Sequence, residues 1–314
     1  MKVITDGIDI IIDFLKESNF NEKKFKDYIS SPQMKIFLKH EKRLKRDTNK
    51  KKIKNELKRV FLNEKYDDDY GFSILKRNIV QLEKDINYIK ENEREIFERV
   101  CIQVYEYLPK NIEVDPNIII YLGGFDGGFA TFTKDVYVNI GRYIGNLKEF
   151  EKLLAHECYH ARKIPFKRKV SLFFKMSFYP EKAMYDTLGR ILEEGIACLV
   201  QHGVNFCNDD PIGTLTSRDM LLSKEYFEIL NESLLSIKNE NPDYNLICKI
   251  NPYVLGYIIS KTIYKHKGIV VLNEWTINFN YKDPIKTYID ICRDKDISSG
   301  FSTEVEEWLY VISK

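Results

Sequence analysis

Apolar residues recur at three- and four-residue steps through Leu75, Ile79, Leu82, Ile86, Ile89, Ile96, Val100 and Val104. That spacing lines one face of a helix, so the stretch predicts an amphipathic helix or helix pair. The texture changes beyond Pro109. Ile118-Ile119-Ile120-Tyr121-Leu122 is a short β-branched run of strand type. GGFDGGF follows, and its Asp126-Gly127 predicts a two-residue hairpin turn, because both turn residues must reach positive φ. Phe129–Thr133 is then the return strand, Lys134-Asp135 a second turn, and Val136–Ile140 a third strand. The glycines beside the turn also suit a close approach by another backbone or a ligand.

Helical signals resume after this. Asn146 and Glu149 stand as N-cap and N3 of a helix running through about Lys163. Pro180 opens the next helix and Gly203 ends it, with Met184, Leu188, Ile191, Leu192, Ile196 and Leu199 facing a core. Asn251-Pro252 caps another that stops at Gly268, while Asp283-Pro284 and Thr303…Glu306 begin two more. The fold class expected is therefore α+β and mainly helical, with a small antiparallel sheet ahead of the helix at 147–163. A helical region over 1–110 precedes a second region over 111–314, or the two form one continuous domain.

Composition narrows the function classes. A net charge of +2 argues against a protein that coats nucleic acid. The basic run at 39–59 is answered by NEKYDDDY at 63–70, and it lacks the interleaved aromatics of a single-strand groove, so it reads as a solvated helix face. No apolar run approaches the roughly 18 residues of a membrane span. Asp6, Asp9 and Asp13 interrupt the N-terminal apolar stretch, unlike a secretory signal. The six cysteines show no CxxC pairing, which points to reduced thiols and a cytoplasmic location.

Against this background one segment carries chemistry: LAHECYHARK at 154–163. On a helix His156 and His160 stand one turn apart, so both imidazoles leave the same face and can ligate one zinc ion. Glu157, next to the first histidine, is placed to reach water rather than the metal. A catalytic zinc needs a third protein ligand and an open position. LEEGIA at 192–197 offers Glu194, 34 residues beyond His160, or its neighbour Glu193; adjacent helical positions point about 100° apart, so only one can ligate. Small Gly195 and Ala197 let that helix approach a neighbour closely.

HECYH followed by EEGIA resembles the gluzincins, zinc metallopeptidases with an HExxH helix and a glutamate ligand on a later helix. In several of those families the ligand precedes a glycine in an EGxA stretch, and Glu194 before Gly195 and Ala197 matches it. The strand-turn-strand run before HECYH, and NPYVLGYIISKTIYKHKG at 251–268, are also similar to uncharacterised bacterial families described as zinc-dependent proteases. The resemblance spans residues 110–268. It implies one zinc ion per chain on His156, His160 and Glu194, a peptide or protein substrate, and the 118–140 sheet edge as the substrate wall. No GxxH follows His160, as a metzincin would require, and the EEG stretch lies downstream of HECYH, unlike a peptide deformylase.

The mechanism expected is hydrolysis with Glu157 as general base and one side-chain donor to the oxyanion. Tyr253, Tyr257, Tyr264 and His266 are the candidates, with Tyr257 chosen because small Gly256 beside it leaves room for substrate. His40 and His202 are expected in surface or structural roles. The alternative is a zinc-binding regulatory or interaction protein with vestigial turnover, using the basic 39–59 segment as its partner surface. A metal-free helical scaffold is the remaining possibility. Glu157 argues against the regulatory alternative, since a purely structural site has no use for a base.

Overall fold

The isoleucine run at 118–120 lies inside a four-stranded mixed sheet. The computed structural model describes residues 2–131, 135–178 and 181–312. The strands are β1 (Lys2–Ile4), β2 (Asn117–Tyr121), β3 (Gly128–Ala130) and β4 (Asp135–Asn139), in the order β1-β2-β4-β3. Both β1 and β4 run parallel to β2, in registers such as Val3↔Ile118 and Ile119↔Tyr137. Only β3 is antiparallel, with Phe129 opposite Tyr137 of β4.

The expected antiparallel meander is thus corrected to a mixed sheet. Ile118, Ile119, Ile120 and Tyr121 are all buried, and an unbroken buried run is what a central strand with parallel neighbours requires. Asp126-Gly127 closes no hairpin. Its loop instead crosses the end of β4, where the Asn139 N–H donates to the Gly127 carbonyl at 2.7 Å, and β3 then lies on the far side of β4. Gly124, at φ +132°, makes this crossing possible, since a Cβ there would come within 2.7 Å of the Phe37 ring. Phe132, Thr133 and Lys134, part of the expected return strand and second turn, lie outside the described residues.

The chain forms two compact units that do not follow chain order: residues 1–101 with 115–161, and residues 102–114 with 162–314. The periodic stretch becomes helices Phe72–Arg77 and Ile79–Glu91 of the first unit and helix Glu93–Glu106, whose residues from Ile102 on belong to the second. Asn78 and Asn92 punctuate them by donating side-chain amides to the Ile74 and Tyr88 carbonyls at 2.9 and 2.8 Å. Part of the basic run is paired within the first unit: Lys54 and Lys58 reach Glu22 at 2.8 and 3.3 Å, and Lys52 reaches Asp69 at 3.1 Å. Exposed pairs of this kind add little to stability, but they give these three lysines partners inside the unit.

The second unit is organised by two glycines. Helix Arg190–His202 follows a π-helical turn at Tyr185–Gly189 and is ended by Gly203 at φ +66°. It packs on helix Pro252–Lys267, whose Asn251 cap accepts from the Tyr253 and Val254 N–H groups at 3.1 and 3.2 Å. A Cβ on Gly195 would lie 2.2 Å from the Gly256 backbone, and one on Gly256 would lie 2.1 Å from the Ile191 carbonyl. No L side chain fits at that crossing. Pro180, the expected opener, lies outside the described residues, which resume with helix Glu181–Met184. Helices Lys282–Asp294 and Thr303–Ile312 follow the later proline and cap signals.

Candidate metal centre

Helix Leu147–His160 carries HECYH at its C-terminal end, and Asn146 caps its start by accepting from the Glu149 N–H at 3.4 Å. The helical repeat brings the Nε2 atoms of His156 and His160 to 3.2 Å from each other. Two nitrogens on one tetrahedral zinc, each at about 2.05 Å, stand about 3.3 Å apart. The pair therefore has the bite of a bidentate zinc chelate, and the donor set fits the ion. His156 is 5% exposed, so its ring is held by packing.

Glu157 is buried on the same helix beside the edge strand. Gly128 of β3 makes room for it: a Cβ there would sit 3.0 Å from Glu157 Cγ and 3.2 Å from its Oε1. Gly128 was legible only as part of a glycine-rich run; that it faces the carboxylate required the fold. The loop ahead of β3 is fastened by Asp126, which takes both guanidinium nitrogens of Arg46 at 2.7 and 2.9 Å and contacts His40 Nε2 at 3.1 Å. Burial alone would raise the Asp126 carboxyl, but His40 and Arg46 outweigh it and hold the pKa below the usual range. The His40 ring stacks on Phe129 at 3.8 Å. His40, Glu41 and Asp126 bring ligand-type atoms within 4.8 Å of one another. Arg46, bonded to Glu41 as well at 2.9 Å, supplies the cation there. This is structural support for the edge strand.

In the second unit the two glutamates of LEEGIA separate in role. Glu193 accepts a bidentate pair from Arg162 at 2.7 and 2.8 Å and the Trp275 indole N–H at 2.8 Å. The Arg162 side chain is 2% exposed, and its Nε donates to the Thr276 carbonyl at 3.0 Å. Glu193 is thereby committed to a buried ion pair. Arg162 had no sequence signal beyond its place after HECYH. Glu194, half-buried, precedes Gly195 at the helix crossing. Burial pushes the nearby Cys198 thiol well up, with Glu194 and Asp210 adding to it.

Tyr257 corrects an expectation. Its side chain is buried and its hydroxyl donates to the Gly203 carbonyl at 2.8 Å. Gly203 lies nine residues past Glu194, about 13 Å along the helix axis. Burial also raises its pKa far above the ordinary tyrosine value. Tyr257 therefore closes a helix end instead of donating to an oxyanion. Tyr257→Phe is expected to lower stability by about 1 kcal/mol, read by chemical denaturation, with turnover unchanged; a slowed turnover at unchanged stability would return it to the chemistry. Tyr264 packs on Tyr107 at 5.0 Å, and exposed His266 donates to Thr262 at 2.9 Å. Tyr253 is half-buried and lies three residues before Gly256, sharing the face that meets Gly195.

Fold and side chains together define a class: a mainly helical α+β protein bearing a helix fitted to chelate a metal. The chain belongs to the family described as "Putative zinc dependent peptidase (DUF5700)", whose model matches residues 25–296. No curated protein and no solved structure matches it.

Proposed function

We propose that this chain hydrolyses peptide bonds with one zinc ion held by His156, His160 and Glu194 and with Glu157 as general base. The observation that carries this is the 3.2 Å convergence of the two imidazole nitrogens on one helix face. The family description supports both the metal and the reaction class. Assignment of the third ligand to Glu194 is supported by the commitment of Glu193 to Arg162 and Trp275, and by the gluzincin-like EGxA spacing.

A zinc ion, when bound, supplies Lewis acidity that makes water a competent nucleophile near neutral pH and polarises a carbonyl. The protein's own part is proton transfer and positioning. Glu157 takes the proton from the attacking water and returns it to the leaving amine. Its burial beside Gly128 keeps the carboxylate in one place through both transfers. Tyr253 takes the oxyanion-donor role that Tyr257 cannot fill. An extended peptide is proposed to add antiparallel to β3, the sheet edge next to Glu157, through backbone hydrogen bonds.

The regulatory alternative would use the basic segment as its partner surface, yet Lys52, Lys54 and Lys58 within it are already paired with acids of the same unit. The test is a mixed peptide library read by mass spectrometry. New N-termini are expected with the zinc-loaded chain, lost with a chelator and regained on adding zinc. Cleavage that survives full metal removal would refute the mechanism.

A further inference from the structure

The segment after the HExxH helix has a surface unlike the rest of the chain. Helix Phe166–Lys175, FKRKVSLFFK, contains no buried residue. Phe166, Val170, Phe173 and Phe174 fall at i, i+4, i+7 and i+8, so they share one face. Phe166, Phe173 and Phe174 are 79%, 70% and 59% exposed, and Phe178 just beyond is 66% exposed. Four large aromatics standing in water within one short segment mark an interaction surface.

The charge says what kind. Between Glu157 and Glu181 the chain has no aspartate or glutamate. Lys167, Arg168, Lys169 and Lys175 are exposed, and among the described residues none of them pairs with a carboxylate. In the basic 39–59 segment, by contrast, acids answer Lys52, Lys54 and Lys58. On the helical wheel Lys167 and Lys169 border the aromatic face on opposite sides, where their stems can lie along apolar surface while the ammonium groups reach outward.

We infer that helix Phe166–Lys175 docks the protein on an anionic lipid surface, with Phe166, Phe173 and Phe174 at the acyl boundary and the flanking cations on the headgroups. Aromatics on one face with cations at its borders are the properties of an interfacial helix. No described helix is long and apolar enough to cross a membrane, so the contact is peripheral. A protein groove would also accept the phenylalanines. Lys167 and Lys169 flank them, Arg168 and Lys175 stand on the opposite side, and no acid lies in the segment, which favours a sheet of anionic headgroups. The inference is independent of the proposed hydrolysis.

The test is vesicle flotation of the full chain on phosphatidylglycerol–phosphatidylcholine vesicles and on phosphatidylcholine alone. Binding is expected only with the anionic lipid and should weaken at high salt. Phe173→Ser with Phe174→Ser should lower the partition coefficient by at least about tenfold. Lys167→Glu with Lys169→Glu should do the same without touching an aromatic. All four positions are exposed, and unchanged thermal unfolding would show the fold intact. Equal partition into both vesicle types, or variants that bind as the wild type does, would overturn the inference. So would self-association in sedimentation that the two serines abolish while lipid binding is absent, which would assign the face to a second copy of the chain.

Discussion

Glu157→Gln is expected to lower peptide hydrolysis by about 10²–10⁴-fold while leaving zinc content at the wild-type level. The substitution is nearly isosteric, so the packing of Glu157 against Gly128 persists. The amide cannot accept the proton of the attacking water, and the loss falls on the chemical step. Parallel measurement of metal content and turnover separates the roles. Loss of zinc together with activity would make Glu157 a ligand and undo its assignment as base.

Glu193→Ala is expected to destabilise the fold by about 3–5 kcal/mol, the largest stability effect among these predictions. Arg162 keeps its buried guanidinium when the carboxylate goes, and loses the bidentate partner that both its terminal nitrogens reach. The Trp275 indole N–H loses its acceptor in the same step. Removing one member of a buried ion pair costs more than the net worth of the pair, which is why the truncation is severe. Glu193→Gln keeps one acceptor and should cost less. Denaturant unfolding of the variants provides the comparison, and a Glu193→Ala midpoint equal to wild type would show that the pair contributes nothing.

What could be read in advance follows from how local each signal is. HECYH, the Asn146 and Asn251 caps, and the stops at Gly203 and Gly268 are decided within one or two helical turns, and the helices stand where those residues place them. Strand order was not local. The pairing of β1 with β2 joins Val3 to Ile118, and nothing near either residue announces the other. Asp126-Gly127 carried a hairpin signal, but Arg46, 80 residues away, ties Asp126 into a crossing loop instead. Tyr257 was misassigned for a similar reason: its role is set by a carbonyl 54 residues earlier, not by the small glycine beside it. Glu194 was preferred to Glu193 only by the EGxA resemblance; the bonds of Glu193 to Arg162 and Trp275 join residues 31 and 82 positions apart, which no local signal announces.

The zinc ligand set is tested most directly by elemental analysis of chain purified without chelator, comparing wild type, Glu194→Ala and Glu193→Ala. The account predicts about one zinc per wild-type chain, a large loss in Glu194→Ala, and near-normal content in the folded fraction of Glu193→Ala. No zinc in the wild type even after metal is added, or full retention in Glu194→Ala with loss in Glu193→Ala, would contradict it.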